Sequence, residues 1–254
     1  MYNIKTLRQI KNYDTINVQV SLDEIMNYFS EEIKTKGDNI FLQVYCPLSE
    51  GVIRNDADIN GRDSISYMYF EEHNDSILVQ YYVYDRETYD FRWILTTKIY
   101  EFYDSKSAKF DIIDFDKEVY KGYDKATLKK KSTIMVSIFQ KLLSYVVYIK
   151  DNPVIKMHRN RSKDKTIKWI DEPIKKEENI KSKATFKLGE KVVYETNINK
   201  DLYKNFRKYN QRHTESWSVM GHKRTYKNGK VIYVQPYTKG SGTKKKHEYI
   251  ANEK

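Results

Sequence analysis

The chain has 254 residues, 39% of them hydrophobic and 32% charged, with a formal net charge of +11. This length accommodates one large domain or two small ones, and the apolar content suffices for a core. The single cysteine, Cys46, excludes an internal disulfide framework and a cysteine-rich zinc site. The chain opens with no basic-then-apolar leader and holds no run of ~18 uninterrupted apolar residues, so the expectation is a cytoplasmic protein with no membrane contact.

In chain order, Thr15 to Val20 alternates as a short strand. Ser21-Leu22-Asp23-Glu24 has the form of a capping box, and Ile25, Tyr28, Phe29 and Ile33 follow at helical spacing, which predicts a helix over 22–35. Ile40 to Cys46 reads as a strand stopped by Pro47, with Cys46 a buried structural thiol. Residues 48–63 read as a polar loop. Asp56-Ala57-Asp58-Ile59-Asn60-Gly61 partly matches a calcium loop, but the closing Glu position falls at Tyr67, so no metal is expected there. Strands follow over 64–72, 76–84, 89–103 and 106–115, joined by short turns, which predicts an antiparallel meander. Asp111, Asp114 and Asp116 fall on the last of these, with Asp114 and Asp116 on one strand face. Residues 127–149 carry the clearest apolar stripe, from Leu128 to Ile149, of a helix lying across the sheet.

Val154 to Met157 adds a strand, and residues 158–183 dissolve into mixed charge around an isolated Trp169. Phe186 to Tyr194 predicts a small hairpin around Gly189, and Leu202, Phe206 and Tyr209 a helical turn. Ser216 to Tyr226 and Val231 to Tyr237 alternate on either side of Asn228-Gly229, a strong hairpin signal. With those two residues as the loop, Tyr226 pairs with Val231, Arg224 with Tyr233 and His222 with Gln235. Met220, His222, Arg224, Tyr226, Tyr233 and Gln235 then share one face. Pro236 ends the second strand, and a Gly/Lys tail follows.

The expected fold is α+β: an antiparallel sheet packed by a long helix, followed by a small β-rich C-terminal module with a β-hairpin. The expected division is a body over 1–157, a charged linker over 158–183 and a basic module over 184–254 with a Lys-rich tail.

Charge separates these parts. Residues 1–150 hold 20 Lys and Arg against 23 Asp and Glu, whereas residues 151–254 hold 26 against 12. Such a swing points to a polyanionic partner for the second part. Lys and Arg interleaved with aromatic residues supply phosphate attraction and stacking surfaces. The expected binding residues are Arg212, His213, Trp217, His222, Lys223, Arg224, Tyr226, Lys227, Lys230, Tyr233, Tyr237 and Lys239. The competing use is protein–protein: the hairpin and the Trp169 region could dock on a host immune complex or another acidic protein surface, or the hairpin could pair edge-to-edge in a homo-oligomer.

Trp217, Gly221, His222, Arg224, Lys227, Gly229, Lys230, Val231, Pro236, Tyr237, Lys239 and Gly240 together resemble a C-terminal segment of phage and mobile-element accessory proteins. The resemblance spans about 210–242. It implies a mobile-element origin, and as a class expectation a non-enzymatic inhibitor or modulator of a host defence nucleoprotein complex in the bacterial cytoplasm, without a cofactor. The alternative is a metal-dependent nuclease built on His213 and His222. Against it, the chain runs from the hairpin into a Gly/Lys tail instead of a ligand-bearing helix, with few carboxylates, Glu215 and Glu248, to hold a divalent cation.

Overall fold

The computed structural model describes residues 3–36, 45–59, 62–73, 75–102, 108–151, 154–159, 184–188, 190–195, 215–226 and 228–251. In chain order the elements are α1 (Leu7–Ile10), β1 (Thr15–Val18), α2 (Leu22–Lys36), β2 (Glu50–Ile59), β3 (Arg62–His73), β4 (Ser76–Asp85), β5 (Phe91–Phe102), β6 (Ala108–Phe115) and α3 (Lys125–Asp151). Then follow β7 (Val154–Arg159), β8 (Ala184–Lys187), β9 (Glu190–Glu195), β10 (Glu215–Val219), β11 (His222–Thr225), β12 (Val231–Val234), β13 (Tyr237–Gly240), β14 (Thr243–Lys244) and β15 (His247–Ala251).

The fold is α+β, with a large sheet against a long helix and a β-rich C-terminal region. One sheet of eight strands runs in the order β6-β5-β4-β3-β2-β1-β15-β8. The strands from β3 to β6 form the antiparallel meander that their short turns predict, and β2 adds to it in antiparallel pairing with β3. β1 then pairs in parallel with β2 on one side and with β15 on the other, and β15 pairs in parallel with β8.

Alternation gives the sheet two apolar faces. Met68 and Phe70 of β3 face α2 and α3, in a core with Phe29, Phe139, Leu142 and Leu143. Tyr67 and Tyr69 of the same strand face the other way, in a smaller cluster with Val52, Tyr82 and Ile10 of α1. The tyrosines of the meander thus cover the second face with rings whose hydroxyls reach polar partners, as Tyr82 does with Gln80 at 3.0 Å.

Both long helices start and pack as their sequences require. The Ser21 amide donates to Glu24 at 2.6 Å and the Glu24 amide to the Ser21 hydroxyl at 3.1 Å, closing the capping box. Asp124 takes the Thr127 amide at 2.7 Å just ahead of α3. α3 is, among the described residues, the one helix long and apolar enough to cross a membrane, with a mean hydropathy of 1.4 over its most apolar window. Its apolar stripe is spent on the sheet and on α2, where Val136, Phe139, Leu142, Leu143, Val146 and Ile149 are buried.

Several expectations need correction. Residues 50–59 are a strand, not part of a loop. Pairing between β2 and β3 runs to Ile59↔Arg62, leaving only Asn60-Gly61 to join them. Two carboxylates of this stretch pair across the strands: Arg86 binds Asp63 at 2.9 Å and Asp56 at 2.8 Å. In the expected strand over 40–46, residues 40–44 lie outside the described residues, and Tyr45 and Cys46 are not in a strand. β7 extends to Arg159 and pairs in parallel with β9, whereas β8 joins the main sheet. Residues 160–183 with Trp169, and Leu202, Phe206 and Tyr209, lie outside the described residues.

The expected Lys-rich tail ends in β15, an interior strand of the main sheet. His247, Tyr249 and Ala251 are buried, and the Asp14 carboxylate accepts the His247 amide at 2.6 Å. The body therefore contains both ends of the described chain. The alternation of His247, Tyr249 and Ala251 is too short a signal to stand out beside three lysines.

Candidate functional site

The basic residues converge on a two-stranded ribbon. β10 pairs with β13 up to Val219↔Tyr237, and β11 with β12 from His222↔Val234. Two residues separate the segments on each side, so one register carries through. The ladder is broken where the body takes hold of it. The Gly221 amide donates to the Pro47 carbonyl at 3.0 Å, and Lys150 Nζ donates to the Gly221 carbonyl at 2.6 Å. On the opposite strand Pro236 has no N–H to offer.

Tyr233 completes this clamp. Its hydroxyl donates to the Cys46 carbonyl at 3.3 Å, and its ring lies 4.3 Å from that of Tyr45. Tyr45 donates to Asp151 at 2.7 Å, and Asp151 also takes Lys150 at 2.8 Å. Burial pushes the Tyr45 and Tyr233 phenols up and the Lys150 ammonium down, with Asp151 opposing the last shift. Burial likewise raises the Cys46 thiol well above its ordinary value, which suits a structural thiol and not a nucleophile.

The hairpin register differs by one residue from the expectation. Val231 pairs with Thr225, Ile232 with Arg224 and Tyr233 with Lys223. The Tyr226 amide bonds the Lys230 carbonyl at 2.8 Å, and the Gly229 amide bonds the Tyr226 carbonyl at 2.9 Å. The loop therefore has three residues. A two-residue type I′ loop needs positive φ at both centres, but here Gly229 has φ +79° and Asn228 has not. A one-residue shift moves the second strand's side chains to the other face. Tyr233 turns inward beside Lys223, away from His222, Arg224 and Tyr226, and is an anchor instead of a contact residue.

The other expected site residues divide as follows. His222, Lys223, Arg224, Tyr226 and Lys230 are exposed, with the Arg224 guanidinium 5.1 Å over the Tyr226 ring. Tyr237 and Lys239 are exposed on β13, and Lys239 Nζ lies 5.9 Å over the half-buried Trp217 ring. His222 Nδ1 sits 3.2 Å from the Met220 carbonyl. Arg212, His213 and Lys227 lie outside the described residues.

From Ser216 to His247 the chain has eight Lys or Arg and no Asp or Glu. Three of those cations are engaged elsewhere: Lys244 by Glu50 at 2.9 Å and Lys246 by the Lys11 carbonyl, both on the body, and Lys245 by Glu215 of β10 at 3.4 Å. Arg224 and Lys230 point outward on the arm beyond the clamp, and Lys223 is exposed at its base.

The residues behind the phage-type resemblance are in large part ribbon geometry. A Cβ on Gly221 would lie 2.2 Å from the Tyr233 hydroxyl oxygen. Gly240, at φ +90°, would bring one within 2.3 Å of the Glu215 carbonyl oxygen.

Tyr45, Lys150, Asp151 and Gly221 were not singled out by sequence reasoning as a unit, since nothing local links residues so far apart in the chain. Asp114 lies in β6 and accepts the Phe115 amide, whereas Asp116 falls beyond the end of that strand, accepts the Glu118 amide and pairs with Arg92. Among the described residues no three His, Cys, Asp or Glu side chains gather at metal-binding spacing. No family model, curated protein or solved structure matches this chain.

Proposed function

We propose that this chain is a non-enzymatic nucleic-acid-binding accessory protein whose clamped basic ribbon contacts the phosphate backbone. One observation carries the reading: an acid-free run of the chain forms an arm whose strand His222–Thr225 is exposed throughout. Cations carried on an acid-free run of chain attract phosphates independently of sequence, and a rigid base limits the entropy lost on binding. Modulation of a host nucleoprotein complex is the role that the phage-type resemblance suggests for such an arm.

The test is fluorescence anisotropy with labelled DNA and RNA across a salt series. Binding should weaken steeply as salt rises, with a log–log slope set by the number of phosphates neutralised. The variant Lys223→Gln/Arg224→Gln/Lys230→Gln should bind far more weakly at equal salt. Absence of binding to every nucleic acid at low salt would overturn the reading in favour of an acidic protein surface.

A further inference from the structure

The geometry points to double-helical B-form DNA, entered from the major groove, as the preferred ligand of the arm; this rests on the nucleic-acid reading above. The clamp sets how much of the ribbon is free. Tyr233, paired with Lys223, is held by Cys46, and Gly221 by Pro47 and Lys150. Beyond the Lys223–Tyr233 pair the first strand continues three residues to Tyr226 before the turn. At ~3.3 Å per residue the free part reaches roughly 10 Å, against a major groove ~8.5 Å deep and ~12 Å wide, which admits a two-stranded ribbon.

Charge and exposure fit the same ligand. Arg224 and Lys230 lie on one face of the free arm, so one wall of a groove would meet two cations, while Lys223 stays at the base beside the clamp. The turn residues Asn228 and Gly229 are exposed at the tip, where base edges would lie.

Two competing ligands fit less well. Stacking on single strands asks for open ring faces. Here Arg224 sits over Tyr226, the ring on the free arm, and Lys239 over a half-buried Trp217, which leaves Tyr237 on β13, behind the clamp, as the open ring. A-form RNA closes its major groove to side chains.

The experiment compares three labelled probes of one sequence at equal salt: a DNA duplex, an RNA duplex and the single DNA strand. The DNA duplex should bind about tenfold or more tightly than either other probe. Methyl green, which occupies the major groove, should displace the protein, and netropsin, which fills the minor groove, should not. Arg224→Gln/Lys230→Gln, at two exposed positions, should lower the salt slope by about two. Equal or tighter binding of the RNA duplex or single strand, or displacement by netropsin alone, overturns this inference while leaving nucleic-acid binding intact. Failure of all three probes to bind overturns both.

Discussion

The Tyr233 ring lies directly over Gly221, so that a single added methyl on that glycine would meet the phenol oxygen at 2.2 Å and its ring carbon at 2.9 Å. This contact between the two strands seats the ribbon on the body. Gly221→Ala forces Tyr233 off the Cys46 carbonyl. The expected cost is about 1–3 kcal/mol of overpacking, read from urea unfolding. Tyr233→Phe alone should cost about 1 kcal/mol for the lost hydrogen bond. Because it also removes the atom in closest conflict, the double variant should be more stable than the sum of the two predicts.

The Lys150–Asp151 pair is largely shielded, with side chains 11% and 15% exposed. Asp151→Asn keeps an acceptor for Tyr45 but leaves Lys150 without its counter-charge. Breaking one side of a shielded pair should cost about 3 kcal/mol, whereas adding Lys150→Met should recover part of it. Equal stability of wild type and Asp151→Asn in urea would show that the pair is solvated.

Alkaline pH should destabilise the fold through its buried tyrosines. Burial pushes Tyr82 up to about 12 and Tyr120 up to about 12, and raises Tyr81 with them. In the unfolded chain each ionises near the ordinary value of about 10. The unfolded state therefore loses protons first. The stability these groups contribute is complete below pH 10 and is lost as the pH climbs through 12. Each fully buried tyrosine should remove about 1.4 kcal/mol per pH unit across that window. Lys150 acts in the opposite sense, since burial lowers it and folding gains as it deprotonates. It is one group against several. Urea midpoints at rising pH, read beside phenolate absorbance, check the sign.

Asp14→Ala should loosen the C-terminal strand. It leaves the His247 amide without the carboxylate that accepts it at 2.6 Å in a buried site. A cost of about 1–3 kcal/mol is expected, and Asp14→Asn, which keeps an acceptor, should cost less. Removing residues 247–254 deletes an interior strand and exposes the edges of β1 and β8. That truncation should abolish cooperative unfolding and promote aggregation.

Calcium should leave the unfolding midpoint unchanged. Asp56 and Asp63 are engaged by Arg86 on paired strands, and their backbone is extended where a calcium loop must turn. A rise in midpoint on adding millimolar calcium would contradict this.

Local pattern carried much of the fold. The Ser21–Glu24 capping box and the stripe of α3 are legible because a helix repeats its own spacing and ends on its own side chains. The meander is legible because its strands alternate and its turns are short. Asn60-Gly61 has the same hairpin form as Asn228-Gly229, but the aspartates around it mask the strand pattern, and the pairing of Asp56 and Asp63 with Arg86 is set by tertiary structure.

By itself, then, the sequence determined the two long helices, the antiparallel strands β3 to β6 and the segregation of positive charge, all of which depend on near neighbours. Only the tertiary structure decided the parallel seating of β1 between β2 and β15, the one-residue register of the ribbon, and the turning of Tyr233 from the exposed face to the body. Those outcomes depend on which distant groups satisfy one another: Asp14 with His247, Gly221 with Pro47 and Lys150, Tyr233 with Cys46. Periodicity records how a segment folds, whereas its partner is selected by contact and hydrogen-bond energies between residues far apart in the chain.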